Sequence, residues 1–498
     1  MAMEIVPLTP MDQLPPPGPQ QCVIYLGIRP GLSNAAVFAH LQQALYRTIK
    51  HIPWLSGKIH VQPLDRPGWR PGSLEIRYNP NIDAEYSPDD CRQIRAKELD
   101  LNQDIEDLIL NGFPVDAFED ADVTWVAWKA GNKDVETGVD ILSIQVNFIP
   151  GACLIVPSFN HATCDGTGMA VALHFWAEQC RLNGMNLDTQ KGATPSLPTC
   201  AWDRTLLANI WSKEATGRTV EEFDPVVWRM LGLDPPKSSQ DPLLPPHRVR
   251  SPLRPRKMTS RIFYMSAGAF ASLRKEASAA TATPVQCSSS DLIIALMWRV
   301  LVRTRLAARH QREGAPHSDE DPDFELHVVV DVRDRFSHTL PQTYMGNCIV
   351  HHRPTLSYDR LIGNGASIAS VADAVYASGL ELTHDKIMDA YALLSKIKDW
   401  TPFYPMRHMA MDDAWTMNTM TMFSENNVSF GDSVFTNGGR VLGSRLLMSV
   451  RNRGQVPGCY VLPRKKNGGL ELMMSLFEDE WPFVMRDAEF SRFPTSLI

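Results

Sequence analysis

Excess positive charge is missing from this sequence: 49 lysines and arginines stand against 56 aspartates and glutamates, a formal net charge of −7. A duplex-binding surface needs a basic face to displace counterions, so no nucleic-acid partner is expected. Paired cysteines are missing as well. The nine cysteines are scattered, odd in number and nowhere spaced Cys-x-x-Cys, which fits reduced thiols in a cytoplasmic protein and gives no metal site. No uninterrupted apolar run approaches the roughly 20 residues that cross a bilayer. The N-terminal MAMEIVPLTPMDQLPPPGP has neither a basic start nor a long apolar stretch, so neither a membrane span nor a signal peptide is expected.

What is present is the composition of a folded chain, 44% hydrophobic and 21% charged, with 498 residues, too many for one ordinary core. CVIYLGI (22–28) reads as a strand, and Ser33 caps a helix running to about Ile52, with Val37, Leu41, Leu45 and Ile49 at helical spacing. DVTWVAWKA (122–130), DILSIQVNF (140–148) and ACLIVPSF (152–159) read as strands, the last apolar on both faces and therefore central; a helix follows over 168–181. Proline density over about 195–257 predicts an extended connection outside any core. Beyond it come strand 261–266, helices 267–278 and 290–305, a solvated loop 308–323, and strands 326–333, 443–450 and 469–476. The expectation is an α/β fold of two domains, 1–195 and 258–498, joined by the crossover 196–257.

One stretch asks for a chemical explanation. SFNHATCDGTGMAV (158–171) places His161 at the end of the buried strand, followed by Asp165, Gly166 and Gly168 before an apolar helix. A histidine held rigidly at such a strand end, partly buried and titrating near neutrality, has what a general base requires. The glycines permit a tight backbone path, and Asp165 can brace the turn by accepting hydrogen bonds.

HATCDGTG resembles the HxxxDG signature of the BAHD acyltransferases, part of the wider superfamily of chloramphenicol acetyltransferase and peptide-synthetase condensation domains. Further pieces follow in that family's order: LQQALYRTIKHIPWLSGKI (41–59), SSSDLIIALMWRVLVRTR (288–305) and VVVDVRDRFSHTLPQTYMGNCIV (328–350), similar to the D-x-R…L-P…Y-x-G-N segment. The sequence is most similar in tone to fungal trichothecene acetyltransferases. It departs from the family at DFGWG, where SFGDS (429–433) stands, with Ser429 in place of the acid. Residue 160 is Asn, so the double histidine of condensation domains is absent; His351 and His352, in VHHRP, are expected to be ordinary strand-end residues.

The resemblance implies two chloramphenicol-acetyltransferase-like domains with a tunnel between them, and acyl transfer, acetyl by family frequency, from acyl-CoA to a hydroxyl (or, second, an amine) of a small metabolite. His161 is then the general base, Asp165 an orienting residue beside Gly166, and Thr419 the candidate oxyanion donor, its alternative being a strand hydroxyl bonded to its neighbour. Lys257, Arg274, Lys275, Ser288 and Ser289 are candidates for the coenzyme A phosphates, the alternatives being a solvated linker and a plain helix cap. Acyl-CoA enters as co-substrate, with no permanent cofactor, and a monomer is expected. A carrier-bound thioester, a rearrangement without acyl transfer, and a catalytically silent binding protein remain alternatives.

Overall fold

The computed structural model describes residues 3–15, 18–101, 103–114, 117–126, 137–183, 197–233, 235, 256–279, 287–314, 323–401, 415–420, 428–447 and 457–496. The architecture is mixed α/β, built on two large sheets and a small one among the described residues. The small sheet pairs β1 (Glu4–Pro7), β4 (Leu74–Tyr78), β3 (Lys58–Val61) and β6 (Val139–Asp140), in that order.

A five-stranded sheet runs β14 (Gly443–Leu446), β2 (Pro19–Gly27), β8 (Ala152–Asn160), β7 (Leu142–Ile149), β5 (Ile94–Glu98). All nine residues of β8 are buried. Its alternate side chains serve two cores: Cys153 and Ile155 join Leu41, Leu45, Ile49, Leu173 and Trp176 under the helices Asn34–His51 and Gly166–Asn183, while Leu154 and Val156 meet Val23, Tyr25 and Phe113 on the other face. A strand covered on both faces carries a continuous apolar run rather than an alternating one.

The second large sheet runs β11 (Ile349–His352), β10 (Phe324–Asp331), β13 (Trp415–Thr419), β15 (Gly458–Val461), β16 (Leu470–Phe477), β9 (Met258–Met265), β17 (Pro494–Ser496), with β12 (Thr355–Leu356) also on β10. Its two faces differ in chemistry. Leu326, Val328, Trp415, Met417, Leu472, Met474, Phe263 and Met265 share one core with the helices Ala267–Ala279, Ser289–Glu313 and Ile368–Leu380. The other face carries His327, Thr416, Ser475 and Ser260, all buried, with Ser260 and Ser475 joined hydroxyl to hydroxyl at 2.7 Å. Asp331 lies on that polar face, four residues along β10 from His327. Thr167, at the start of helix Gly166–Asn183, donates to its Oδ2 at 2.6 Å, so the polar face is turned toward the five-stranded half.

Several sequence expectations are corrected. Residues 120–123 form a helical turn, not the start of a strand, and 127–130 lie outside the described residues. The helix expected to end near 305 continues to Glu313, closed by Gly314 in the left-handed region, because nothing in ARHQRE breaks it. The crossover is not simply extended: the helices Leu206–Glu214 and Pro225–Met230 bury Leu207, Ile210, Val227, Trp228 and Met230 against Met11, Phe336, Met388 and Leu393. Its proline-dense part, 236–255, lies outside the described residues. Among the described residues no helix is long and apolar enough to cross a membrane.

Although it falls late in the chain, β14 pairs antiparallel with β2, Gly443 opposite Tyr25 and Leu446 opposite Cys22. From it Arg445 donates to the carbonyls of Phe113 (3.0 Å) and Ser444 (2.7 Å), and reaches Glu471 of β16 at 2.8 Å, with both charges buried. Removing one member of such a pair strands the other without solvent. Glu471→Ala should therefore cost about 3–5 kcal/mol in denaturant unfolding, and a change below about 1 kcal/mol would show that the pair does not brace the two sheets.

Candidate active site

At the end of β8 the backbone turns on its own polar atoms. Asn160 Oδ1 accepts from Ala162 N (3.1 Å) and the Asn160 carbonyl accepts from Thr163 N and Oγ1 (2.9 and 2.7 Å), while His161 N donates to Gly18 O (2.8 Å). Asp165 then caps the following helix by accepting from Gly168 N at 3.0 Å. A side chain at Gly168 would collide with the Met345 carbonyl oxygen and stand 2.8 Å from Cys164 Cβ. Glycine is demanded at 168; Gly166, the residue singled out from the motif, is the half-buried first residue of the helix.

The Asp165 carboxylate is fully committed elsewhere than the His161 ring. Its Oδ1 accepts from Arg333 Nη2 at 2.8 Å and its Oδ2 from Cys348 N at 2.9 Å, with both charged side chains buried. Arg333 also donates to the carbonyls of Tyr344 and Gly346 (3.0 and 2.7 Å) and to Asp331 (2.7 Å). Asp165 and Asp331 hold the Arg333 guanidinium firmly protonated despite its burial.

A second buried carboxylate, Asp12, was not singled out from the sequence. Its Oδ1 accepts from Arg204 Nη1 (3.0 Å), Asn347 N (2.9 Å) and Asn347 Nδ2 (3.0 Å), and its Oδ2 from Thr9 N and Oγ1 (3.0 and 2.7 Å). Arg204 Nη2 donates to Thr163 O (2.5 Å), and Asn347 Nδ2 to His161 O (2.9 Å). Thr9-x-x-Asp12 is a capping box legible in the sequence. Arg204, inside the presumed linker, carried no such signal.

His161 is half-buried, and its Nδ1 is buried without a hydrogen-bond partner among the described residues. Burial pulls its pKa below the usual histidine value, opposed by its own backbone carbonyl, Asp165 and the Asn347 side chain. The ring is therefore neutral at neutral pH, with a lone pair to offer.

The remaining candidates are spread out. Thr419 ends β13, opposite Val461 and on the same face as Met417, the side that packs into the apolar core; Asn418 occupies the polar face with Thr416. The Thr419 hydroxyl makes no hydrogen bond among the described residues. Lys257 is ion-paired with Glu478 at 2.6 Å, and Arg256 with Asp479. Arg274 and Lys275 are exposed on helix Ala267–Ala279, and Arg274 acts weakly to lower the Cys287 thiol, which desolvation raises, just before the helix end at Ser288. There Ser288 makes a capping box with Asp291 and Ser289 begins the helix, so the cap hydroxyl is already used and a carboxylate stands at the helix N-terminus. Among the described residues, no group of side chains is suited to hold a metal ion.

In SFGDS the serine at the acid's position closes the segment internally. Ser429 Oγ donates to Gly438 O (2.7 Å), Phe430 packs edge-on to Trp176 (5.5 Å between centroids), and Gly431, at φ +96°, lies against Cys180 and Arg181. That is the far end of the helix that His161 precedes, roughly 20 Å along its axis. His351 and His352 are buried in β11, their pKa values pushed down to about 3 and about 4 by desolvation.

The fold is that of the BAHD acyltransferases, with a histidine at a strand end and a buried aspartate turned to an arginine. The chain belongs to the Transferase family, whose model matches residues 126–491, and residues 19–180 match the model of a Trichothecene 3-O-acetyltransferase-like N-terminal domain. It is 28% identical to the isocyanide synthase-NRPS hybrid crmA of Aspergillus fumigatus, over 98% of this chain but 31% of that protein, and thus spans about a third of this relative's length. It is 24% identical to the eremophilane O-acetyltransferase prx11 of Penicillium rubens over 91% of each chain. Among solved structures it is similar to F. sporotrichioides TRI101 complexed with coenzyme A and T-2, with a TM-score of 0.70, 18% identity, and 99% of this chain and 100% of that chain covered.

Asp165→Asn should lower stability by about 3 kcal/mol, because Arg333 is left buried with a weakened partner; an unchanged melting temperature would remove the bracing role. Because His351 and His352 stay neutral when folded but protonate near pH 6.5 when unfolded, stability should fall as pH drops from 6.5 toward 4. On unfolding in that window these two residues should take up about two protons from solvent, measurable as the loss of that uptake in His351→Gln/His352→Gln.

Proposed function

We propose that the chain transfers an acyl group, acetyl by family frequency, from acyl-CoA to a hydroxyl of a small specialised metabolite, with His161 as general base. The observation that carries this reading is the half-buried His161 at the end of β8, kept neutral by desolvation, with Asp165 committed to Arg333. The acceptor oxygen attacks the thioester carbonyl as His161 Nε2 takes its proton. The tetrahedral oxyanion collapses, the C–S bond breaks, and the coenzyme A thiolate takes the proton back. No residue becomes acylated. The oxyanion donor is proposed at the end of β13, where Asn418 lies on the polar face; Thr419, on the same face as Met417, is the less suited of the two. The tunnel is proposed between the two halves of the chain, 1–195 and 258–498, along the polar face of the eight-stranded sheet, in a cytoplasmic monomer. Arg274, Lys275, Ser288 and Ser289 are proposed at its phosphate end; Lys257, engaged by Glu478, is the weakest of these. Support comes from TRI101, whose solved complex contains coenzyme A, and from the O-acetyltransferase name of the Penicillium rubens relative.

A carrier-bound thioester is the second reading, favoured by the match of 98% of this chain within an NRPS hybrid. Calorimetry with acetyl-CoA, CoA and dephospho-CoA separates the two. Acetyl-CoA and CoA should bind and dephospho-CoA more weakly; binding of none would turn the proposal to carrier-bound donors. Across a panel of alcohols, His161→Ala should lose thiol release about 100-fold or more while still binding CoA. The acid limb of kcat/KM should lie below pH 6.5, since the base is neutral down to its lowered pKa. A limb above 6.5 would contradict a desolvated His161.

A further inference from the structure

The three parallel strands of the larger sheet, β10, β13 and β15, end on the same side. Asp331, Thr419 and Val461 lie along one rim, which β16 and β9 meet at Leu470 and Met265. Ligands of open α/β sheets collect outside the carboxyl ends of such strands. The rim is tied to the candidate base, because Asp331 accepts from Thr167, shortly after His161 in the chain. Two strand spacings from Asp331, roughly 10 Å, the rim carries the segment PRKKNGG (463–469), the hairpin joining β15 to β16, which sequence analysis did not single out. The hairpin is tightly made: Lys465 N donates to Gly469 O (2.8 Å), Gly468 N to Lys465 O (2.9 Å) and Gly469 N to Asn467 Oδ1 (3.0 Å). It packs on the start of helix Ala267–Ala279, where a Cβ at Gly468 would stand 3.3 Å from Ala267 Cβ and the Arg464 guanidinium lies 5.1 Å from the centre of the Phe270 ring. Arg274 is one turn beyond Phe270 on the same helix face, so Arg464 and Arg274 are neighbours. Lys275 follows Arg274, Lys466 stands at the hairpin tip, and all four side chains are exposed. The carboxylates at hand are engaged: Glu471 at the hairpin base by Arg445 and Lys465, and Glu276 by Arg492. Lys466, Arg274 and Lys275 make no ion pair among the described residues. In a chain of net charge −7 this is a local reversal of sign. Like charges gathered on a fixed surface repel one another, and a bound polyanion removes that cost.

We propose that the 463–469 hairpin is the anion seat of the acyl donor. Arg464 and Lys466, beside Arg274 and Lys275, receive the phosphate groups of a pantetheine-linked thioester whose sulfur end lies at His161. The inference rests on the acyl-donor reading above and adds to it the residues that select the donor. The phosphate next to the pantetheine arm is common to coenzyme A and to a carrier-bound donor, whereas the 3′-phosphate belongs to coenzyme A alone.

The test is calorimetry on the whole protein with CoA, dephospho-CoA, 4′-phosphopantetheine and pantetheine, in the wild type and in Arg464→Gln/Lys466→Gln. The double variant should bind CoA at least about tenfold more weakly and with a shallower dependence on salt, while pantetheine binds within about twofold of wild type. If the preference for CoA over dephospho-CoA collapses, the hairpin holds the 3′-phosphate and the donor is coenzyme A. If CoA, dephospho-CoA and 4′-phosphopantetheine weaken alike, it holds the phosphate that carriers share. Either pattern supports the seat. CoA affinity within about twofold of wild type, or an equal loss for pantetheine, overturns the seat and leaves the acyl-CoA reading standing. A wild type that binds none of the four removes the seat and that reading together. Where the double variant melts lower than wild type, Lys466→Gln, which breaks no ion pair among the described residues, decides through a loss of CoA affinity of about threefold or more.

Discussion

Two buried carboxylates, Asp12 and Asp165, close on the same short loop, 344–348, and everything around the candidate base depends on that convergence. Asp165 takes Cys348 N directly and Tyr344 O and Gly346 O through Arg333; Asp12 takes the backbone and side chain of Asn347. Each carboxylate faces its own arginine, Arg333 or Arg204, with almost no solvent. Buried ion pairs of this kind contribute little net stability compared with an apolar filling, but they tolerate few alternative arrangements. The loop carries the family-like YMGN segment, and its glycine is sterically required: a Cβ at Gly346 would stand 2.5 Å from Arg204 Nη1. Motif residues far apart in sequence are therefore parts of one polar knot.

The SFGDS loop belongs to a different part of the molecule. It sits against Trp176, Cys180 and Arg181, and its Ser429 hydroxyl ties it to Gly438 across a two-residue bridge with Arg440. A serine that closes the loop internally stands where the family-like motif carries an acid. The loop lies at the far end of helix Gly166–Asn183 from the His161 turn.

Much of the fold was legible because burial and period agree. β8 is a continuous apolar run and proved to be covered on both faces; the helix at Asn34–His51 has its cap at Ser33 and its apolar face at 3.6-residue spacing. The His161–Asp165 turn was legible for a similar reason, a polar cluster where an apolar strand meets an apolar helix. What escaped the sequence is long-range pairing. Asp12 and Arg204 are 192 residues apart and meet only through tertiary packing, so no local pattern predicts them. Proline density at 234–257 obscured the helices just before it, whose apolar residues are few and face a core assembled from distant segments. Thr419 and Asn418 are neighbours in sequence, yet strand alternation sends them to opposite faces, a distinction that depends on register.

The pairing of β14 with β2 has a consequence for how the chain is made. Strand β2 is complete once residue 27 has been synthesised, but its outer neighbour arrives only with residues 443–446. Until then β2 is an open sheet edge with unpaired amides and carbonyls, the kind of surface that recruits strands from other chains. A nascent chain must keep that edge occupied or shielded during synthesis of more than 400 further residues. Cutting the protein into halves at the crossover would expose the same edge, so the two halves are better regarded as one folding unit that closes with its C-terminal segment.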